Sequence, residues 1–174
     1  MSPLKGSVAT WPTFASKLVN MFVTPVGSWD YRGPGGHTCF APIIPPSASE
    51  LDVWYKKVKQ RVTDAGFDFF ADFHVYPRYI VAIAVMVFTP DEAGKMDRLY
   101  KELVGDGFEL GHTEYRTHVH YMDHIADHFK FNDSILRKYV EQLKDVTDPK
   151  GILAPGKQGI WGTSSLAQTY QSKS

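Results

Sequence analysis

The stretch "PPSASELDVWYKKVKQRVTDAGFDFFADFHVYPRYIVAIAVMVFTPDEAGKMDRLYKELV", residues 45–104, holds two helical periods separated by two strand-like runs. Pro45-Pro46 stops whatever precedes it, and Ser47 with Glu50 has the S-x-x-E spacing of a capping box. Leu51, Trp54, Tyr55, Val58, Val62 and Ala65 then recur at helical spacing until Gly66. "FDFFADFHV" and "YIVAIAVMVF" are rich in aromatic and β-branched residues, with Pro77 at the turn between them. The second run is apolar at every position, which predicts a central strand covered on both faces. A second helix opens at Thr89, with Pro90 at its first position and Glu92 closing another capping box. Its buried stripe is Ala93, Met96, Leu99, Tyr100 and Leu103.

Outward from this core, "HTCFAPI" from His37 suits a strand ending at the proline pair, and "GHTEYRTHVHY" from Gly111 is strand-like. The predicted order is β-α-β-β-α-β over residues 37–121, an α+β ferredoxin-like split βαβ unit with an antiparallel sheet and helices on one face. Residues 1–36 form a loop-rich lead-in holding Pro3, Pro12, Pro25 and Pro34, with one short helix over Phe14–Phe22. Residues 122–174 add the last two helices, predicted over Tyr121–Phe129 and Ile135–Val146, and a Gly/Pro-rich tail.

Composition narrows the function classes. The chain has 174 residues, 43% of them hydrophobic, which fits a folded core. Lys and Arg number 19 and so do Asp and Glu, so no electrostatic footprint for nucleic acid or anionic lipid is expected. Cys39 is the only cysteine, which excludes an intrachain disulfide and a Cys-based zinc site. The longest apolar run, Tyr79–Phe88, falls short of the roughly 20 residues of a membrane span. The N-terminus shows no signal-peptide pattern, and an intracellular location is the expectation.

Five features bear on chemistry. "GPGG", Gly33–Gly36, allows close backbone approach, but it matches neither a P-loop nor a dinucleotide fingerprint. His120, His124 and His128 stand four apart on a predicted helix with Asp123 and Asp127. That spacing suits a solvated face opposite Tyr121, Met122, Ile125 and Phe129 better than a shared metal ion, so no metal is expected. His74, in an aromatic strand, reads as a satisfied core or interface histidine. "EYRTH", residues 114–118, sets a phenol beside a guanidinium, a pair suited to a planar oxyanion, although a lone Arg is more often a surface or ion-pair residue. Successive strand residues point to opposite faces, so Tyr115 and Arg116 converge only where the strand ends or bulges. Finally, "DPKGILAPGKQGIWG", residues 148–162, holds four glycines, two prolines and Trp161 within fifteen residues, far more than a chain end requires.

Three of these pieces, "GGHTCFAPI" at 35–43, "EYRTHVHYMD" at 114–123 and "DPKGILAPGKQGIWG" at 148–162, stand in an order and at separations that resemble one family. It comprises the flavin-dependent oxidoreductases of 4-substituted phenols: vanillyl-alcohol oxidase, eugenol oxidase and 4-cresol dehydrogenase. The resemblance runs from about Trp29 to Trp161 and covers their C-terminal part. It implies a cap domain lying over FAD and lining the substrate cavity, with Cys39 and His74 on that lining. His37 matches the position that carries the covalent histidyl link to the flavin 8α carbon in vanillyl-alcohol oxidase, a histidine the dehydrogenase branch lacks, and Tyr115 with Arg116 matches the pair that binds the phenol oxygen as phenolate. The tail, with Gly156 and Lys157, would close against the cofactor. The family's flavin-binding domain lies upstream of this region, so the implied partner is that domain, in the same chain or as a second one, with homo-oligomers also allowed. The rival expectation is a non-catalytic ligand-binding or oligomerisation module on the same fold, since this fold hosts many functions.

Overall fold

A computed structural model describes residues 36–164. The predicted Phe14–Phe22 helix and most of the "GPGG" loop lie outside them. The chain divides into two compact units, one ending at Thr113 and one beginning at Glu114.

The first unit is built on β4 (Tyr79–Phe88). On one edge β4 pairs antiparallel with β3 (Phe70–Tyr76) over seven consecutive positions, from Phe70 opposite Val85 to Tyr76 opposite Tyr79. On the other edge it meets β1 (Gly36–Phe40), with His37 opposite Val87, and β2 (Pro42–Ile44), with Ile43 opposite Val81. The predicted first strand is therefore one strand broken at Ala41. The two-residue β5 (Thr113–Glu114) lies beside β2. In order of the four predicted strands, the sheet runs second, third, first, fourth, which is the ferredoxin-like arrangement.

Directly opposed residues share a face. Phe40, Ala71, Phe73, Ala82, Ala84 and Met86 form the face that meets the helices α1 (Ala48–Asp64) and α2 (Ala93–Glu109). Trp54 of α1 meets Phe73 edge-on at 5.8 Å, and Tyr100 of α2 meets Phe40 at 6.5 Å. Trp54, Val58, Val62, Met96, Leu99 and Leu103 are buried as the helical periods predicted, whereas Tyr55 and Ala93 are exposed. The two helices are tied together by Arg61, which grips the buried Asp106 with two hydrogen bonds of 2.8 Å, and by Lys57 at 3.2 Å from the same carboxylate. Burial pushes the Asp106 carboxyl up, but the bonds from Arg61 and Lys57 outweigh it and hold it below the usual carboxylate range.

One capping box forms and the other does not. The Thr89 amide and hydroxyl both donate to the Glu92 carboxylate at 2.9 Å, opening a single 3-10 turn, Pro90–Glu92, ahead of α2. At α1, the Ser47 hydroxyl bonds Ser49 at 2.7 Å instead, and Glu50 faces Nε2 of the buried His112 at 3.4 Å. A buried imidazole, invisible to a local pattern, takes the carboxylate that the box needed.

The second unit starts where the predicted "GHTEYRTHVHY" strand gives out. Only Thr113 and Glu114 are extended; a bend at Tyr115–Arg116 and a 3-10 turn, Val119–Tyr121, lead into the short α3 (Met122–Ala126). Asn132, Asp133 and Ser134 have φ of 45°, 55° and 57°, so within α4 (Phe131–Thr147) the right-handed helix begins at Ile135, as its apolar period predicts. Behind α4, Asp148 accepts from Lys144 at 2.7 Å and from the amides of Ile152 and Leu153 at 3.1 and 2.8 Å, which turns the chain into the closing motif. Among the described residues no helix is long and apolar enough to cross a membrane.

Candidate active site

The face of the sheet turned away from α1 and α2 gathers three residues singled out in the sequence. His37 opposes Val87, Cys39 opposes Val85, and His74 opposes Val81, so all three share the face of Val81, Ile83, Val85 and Val87. On this face Ile83, Val85 and Val87 are half-buried, where the sequence predicted a strand covered on both sides. His37 and His74 are exposed and Cys39 is half-buried. His37 and His74 stand at opposite ends of β4, about 20 Å apart along a strand rising some 3.3 Å per residue. They cannot touch one small molecule together. His74 does not lie in the core, one of the two settings its aromatic strand suggested. Its Nε2 lies 2.9 Å from Asp72 on the same face. Asp72 was missed in the sequence, although its two-residue spacing from His74 in a strand is the signal that would have found it.

Tyr115 and Arg116 follow the last extended residue, Glu114, and sit in a bend rather than in a strand. Both are exposed, and among the described residues neither forms a hydrogen bond or ion pair. The backbone interruption required for a converging pair is thus present at this point.

The closing motif folds onto α3. The Trp161 indole N–H donates to Asp123 at 2.7 Å, and the Gln158 amide donates to the Met122 sulfur at 3.3 Å. Gly156, with φ of 72°, places its α-carbon against the Trp161 ring. Gly156 and Lys157 line a cavity of about 260 Å3 with Val119, Met122, Asp123 and Trp161. Within the first unit, Arg78, Tyr79, Ile43, Pro46, Gly111 and Thr113 line a cavity of about 330 Å3.

The histidine run does not gather. His124 and His128 meet edge-on at 5.1 Å between ring centres, while His120 packs on Tyr121 at 4.8 Å. Among the described residues no three His, Cys, Asp or Glu side chains are placed to hold a metal ion. Tyr121, Met122 and Ile125 are buried as the apolar side of this run, but Phe129 is exposed.

Residues 22–158 match the family model of the FAD-linked oxidases, C-terminal domain. The chain belongs to this family. It is 29% identical over 137 residues to the 4-cresol dehydrogenase flavoprotein subunit of Pseudomonas putida, a match covering 77% of this chain and 26% of that protein. Among solved structures, the 4-ethylphenol oxidase of Gulosibacter chungangensis in complex with isoeugenol aligns with a TM-score of 0.72 and 31% identity, over 92% of this chain and 32% of that one. A p-cresol methylhydroxylase with substrate bound aligns with a TM-score of 0.69 and 29% identity, over 76% of this chain and 26% of that one. The chain thus spans about a quarter to a third of these relatives. The family suggested by the three motifs is the one to which the fold and sequence belong.

Proposed function

We propose that this chain is the cap and substrate part of an FAD-dependent oxidoreductase of 4-substituted phenols, working with a flavin-binding domain in the same polypeptide or in a second one. The observation that carries the reading is the likeness, at 29–31% identity, to enzymes whose names and bound ligands are para-alkyl and para-alkenyl phenols.

The residues fit one part of such a cofactor. The second sheet face is apolar along Ile83, Val85 and Val87 and carries an exposed imidazole, His37, at one end, which suits a flat ring system held at its edge. His37 is assigned the covalent link to that ring, and Cys39 the adjoining wall. The rest of the dinucleotide is assigned to the partner domain. When bound, the flavin supplies a two-electron acceptor for the hydride lost from the substrate. The α4 stripe of Ile135, Leu136, Tyr139, Leu143 and Val146, 46–81% exposed, supplies an apolar surface for the flavin-binding domain to cover.

Tyr115 and Arg116 are assigned the phenol oxygen. Hydride loss from a para-alkyl phenol needs electron donation from the ring, and the phenolate donates far better than the phenol, whose ordinary pKa is about 10. A fixed guanidinium and a tyrosine hydroxyl favour the anion and lower that pKa. Gly156 and Lys157 are assigned the cofactor edge, a reading supported by the cavity they line.

The test is to join this chain to the flavin-binding segment of the 4-ethylphenol oxidase it resembles. Flavin should remain attached after acid precipitation of the wild-type fusion and be released from His37→Ala. Covalent flavin in the variant would overturn the role of His37.

A further inference from the structure

The turn between β3 and β4 carries an arginine that the sheet does not use. Pro77 and Arg78 form a two-residue loop closed by Tyr76 opposite Tyr79, whose rings stack at 4.8 Å. Proline fixes its own φ near −65°, so the root of the Arg78 side chain is held by covalent geometry and by the stacked pair. Among the described residues Arg78 has no hydrogen-bond or ion-pair partner, whereas Arg61 and Arg137 each grip carboxylates. Arg78 instead borders the cavity of about 330 Å3 in the first unit. Ile43 to Pro46 line it from the end of β2, Tyr79 from β4 and Thr113 from β5. Among the described residues that line it, Arg78 is the only charged one.

We infer that this cleft binds a small aromatic carboxylate, its two oxygens on the Arg78 guanidinium and its ring against Tyr79 and the segment from Ile43 to Pro46. The class of ligand follows from the lining. A guanidinium presents parallel N–H donors that match the two oxygens of a carboxylate, a pairing stronger and more directional than a point charge gives. One guanidinium with no second cation suits a single negative charge better than a phosphate monoester, which carries close to two. The isoleucines and prolines favour a body that gains by leaving water. The volume stands at the small end of ligand sites, so it admits one ring and not a dinucleotide or a long chain. Tyr79 lies eight residues along β4 from Val87, the partner of His37, about 26 Å at some 3.3 Å per residue. A one-ring molecule held here does not reach the ring contact assigned to His37. The site does not depend on the proposed activity.

The experiment is an amide-resolved NMR titration of the full chain with sodium benzoate at fixed ionic strength. Arg78 is exposed in a turn, so its replacement should leave the fold intact, and far-UV circular dichroism checks each variant. The amides of Ile43, Ile44 and Thr113 should shift saturably, with a Kd of about 1 mM. Arg78→Gln should weaken binding by about tenfold or more, and Arg78→Lys by less, since lysine keeps the charge and loses the fork. Benzyl alcohol, which has the ring without the charge, and acetate, which has the charge without the ring, should each bind about tenfold more weakly or worse. Shifts confined to Tyr115 and Arg116 would assign the carboxylate to that guanidinium and overturn the site at Arg78. No saturable shift at the cleft, unchanged affinity in Arg78→Gln, or equal affinity for benzyl alcohol or acetate would each overturn it as well.

Discussion

Trp161 donates its indole N–H to Asp123 at 2.7 Å, which binds the closing motif to α3. Asp123 also lies 3.7 Å from Arg137, which bonds Asp127 at 2.6 Å and Glu141 at 3.2 Å, so the tail joins a charged network reaching α4. The glycines of the motif answer to the same packing. A β-carbon at Gly156 would lie 2.3 Å from the Trp161 ring, and one at Gly159 would lie 2.4 Å from the Ala126 methyl.

Gly156→Ala should therefore destabilise the second unit by about 2–4 kcal/mol, combining a left-handed backbone with a clash against a buried indole. Trp161→Phe should lose about 1–2 kcal/mol through the abandoned Asp123 bond. Urea unfolding followed by circular dichroism measures both. A Gly156→Ala chain as stable as wild type would show that the tail is not held against Trp161.

Asp106 should act as a single clamp on α1 and α2. Asp106→Asn should cost about 2–3 kcal/mol, below the usual figure for a broken buried pair because Arg61 is part-exposed. Its folded carboxyl titrates below the ordinary value of about 3.9, so the stability it gives is fully present above that pH and is lost as pH falls through the folded pKa. Wild type should thus lose more stability than Asp106→Asn on acidification below about pH 4. Parallel acid-unfolding curves for the two proteins would contradict the clamp.

His128 should make the second unit sensitive to mild acid. Burial lowers its imidazole below the ordinary value, His124 and Lys130 lower it further, and Asp127 opposes them weakly. The unfolded chain then binds more protons between the two pKa values, so stability present above about pH 6.5 is lost as pH falls through that interval. Denaturant midpoints taken at about pH 7 and pH 5 should differ less in His128→Gln than in wild type. Equal differences would assign the acid sensitivity elsewhere.

The first unit was largely legible in the sequence because its signals are periodic and local. Trp54, Val58 and Val62 mark one helix, Met96, Leu99 and Leu103 the other, and Thr89 with Glu92 forms the box its spacing announces. What failed depended on distant partners. Glu50 is claimed by His112, sixty-two residues away, so its capping box never closes. The strand expected through residue 121 ends at Glu114, because "YRTHVHY" has strand-like composition but turns into a bend and a 3-10 turn. The histidine run was read correctly for Tyr121, Met122 and Ile125, whose burial follows from period, while Phe129 lies past the end of α3. Asp72 went unread because an acid on an edge strand resembles a solvated one, although its two-residue spacing puts it on the face of His74.

The central claim is that Arg116 and Tyr115 hold a phenolate for oxidation. The direct measurement is the rate of 4-ethylphenol oxidation against pH for this chain joined to the flavin-binding segment of the 4-ethylphenol oxidase, in wild-type, Tyr115→Phe, Arg116→Lys and Arg116→Leu forms of equal flavin content. The wild-type fusion should oxidise the phenol. Arg116→Leu should lose about 2–4 kcal/mol of transition-state stabilisation, with its optimum moved to higher pH, where the free phenol ionises unaided. Arg116→Lys should fall between, keeping the charge but losing the planar fork, and Tyr115→Phe should lose less than Arg116→Leu. A wild-type fusion that binds flavin without oxidising the phenol, or an Arg116→Leu fusion with unchanged rate and pH optimum, would contradict the account.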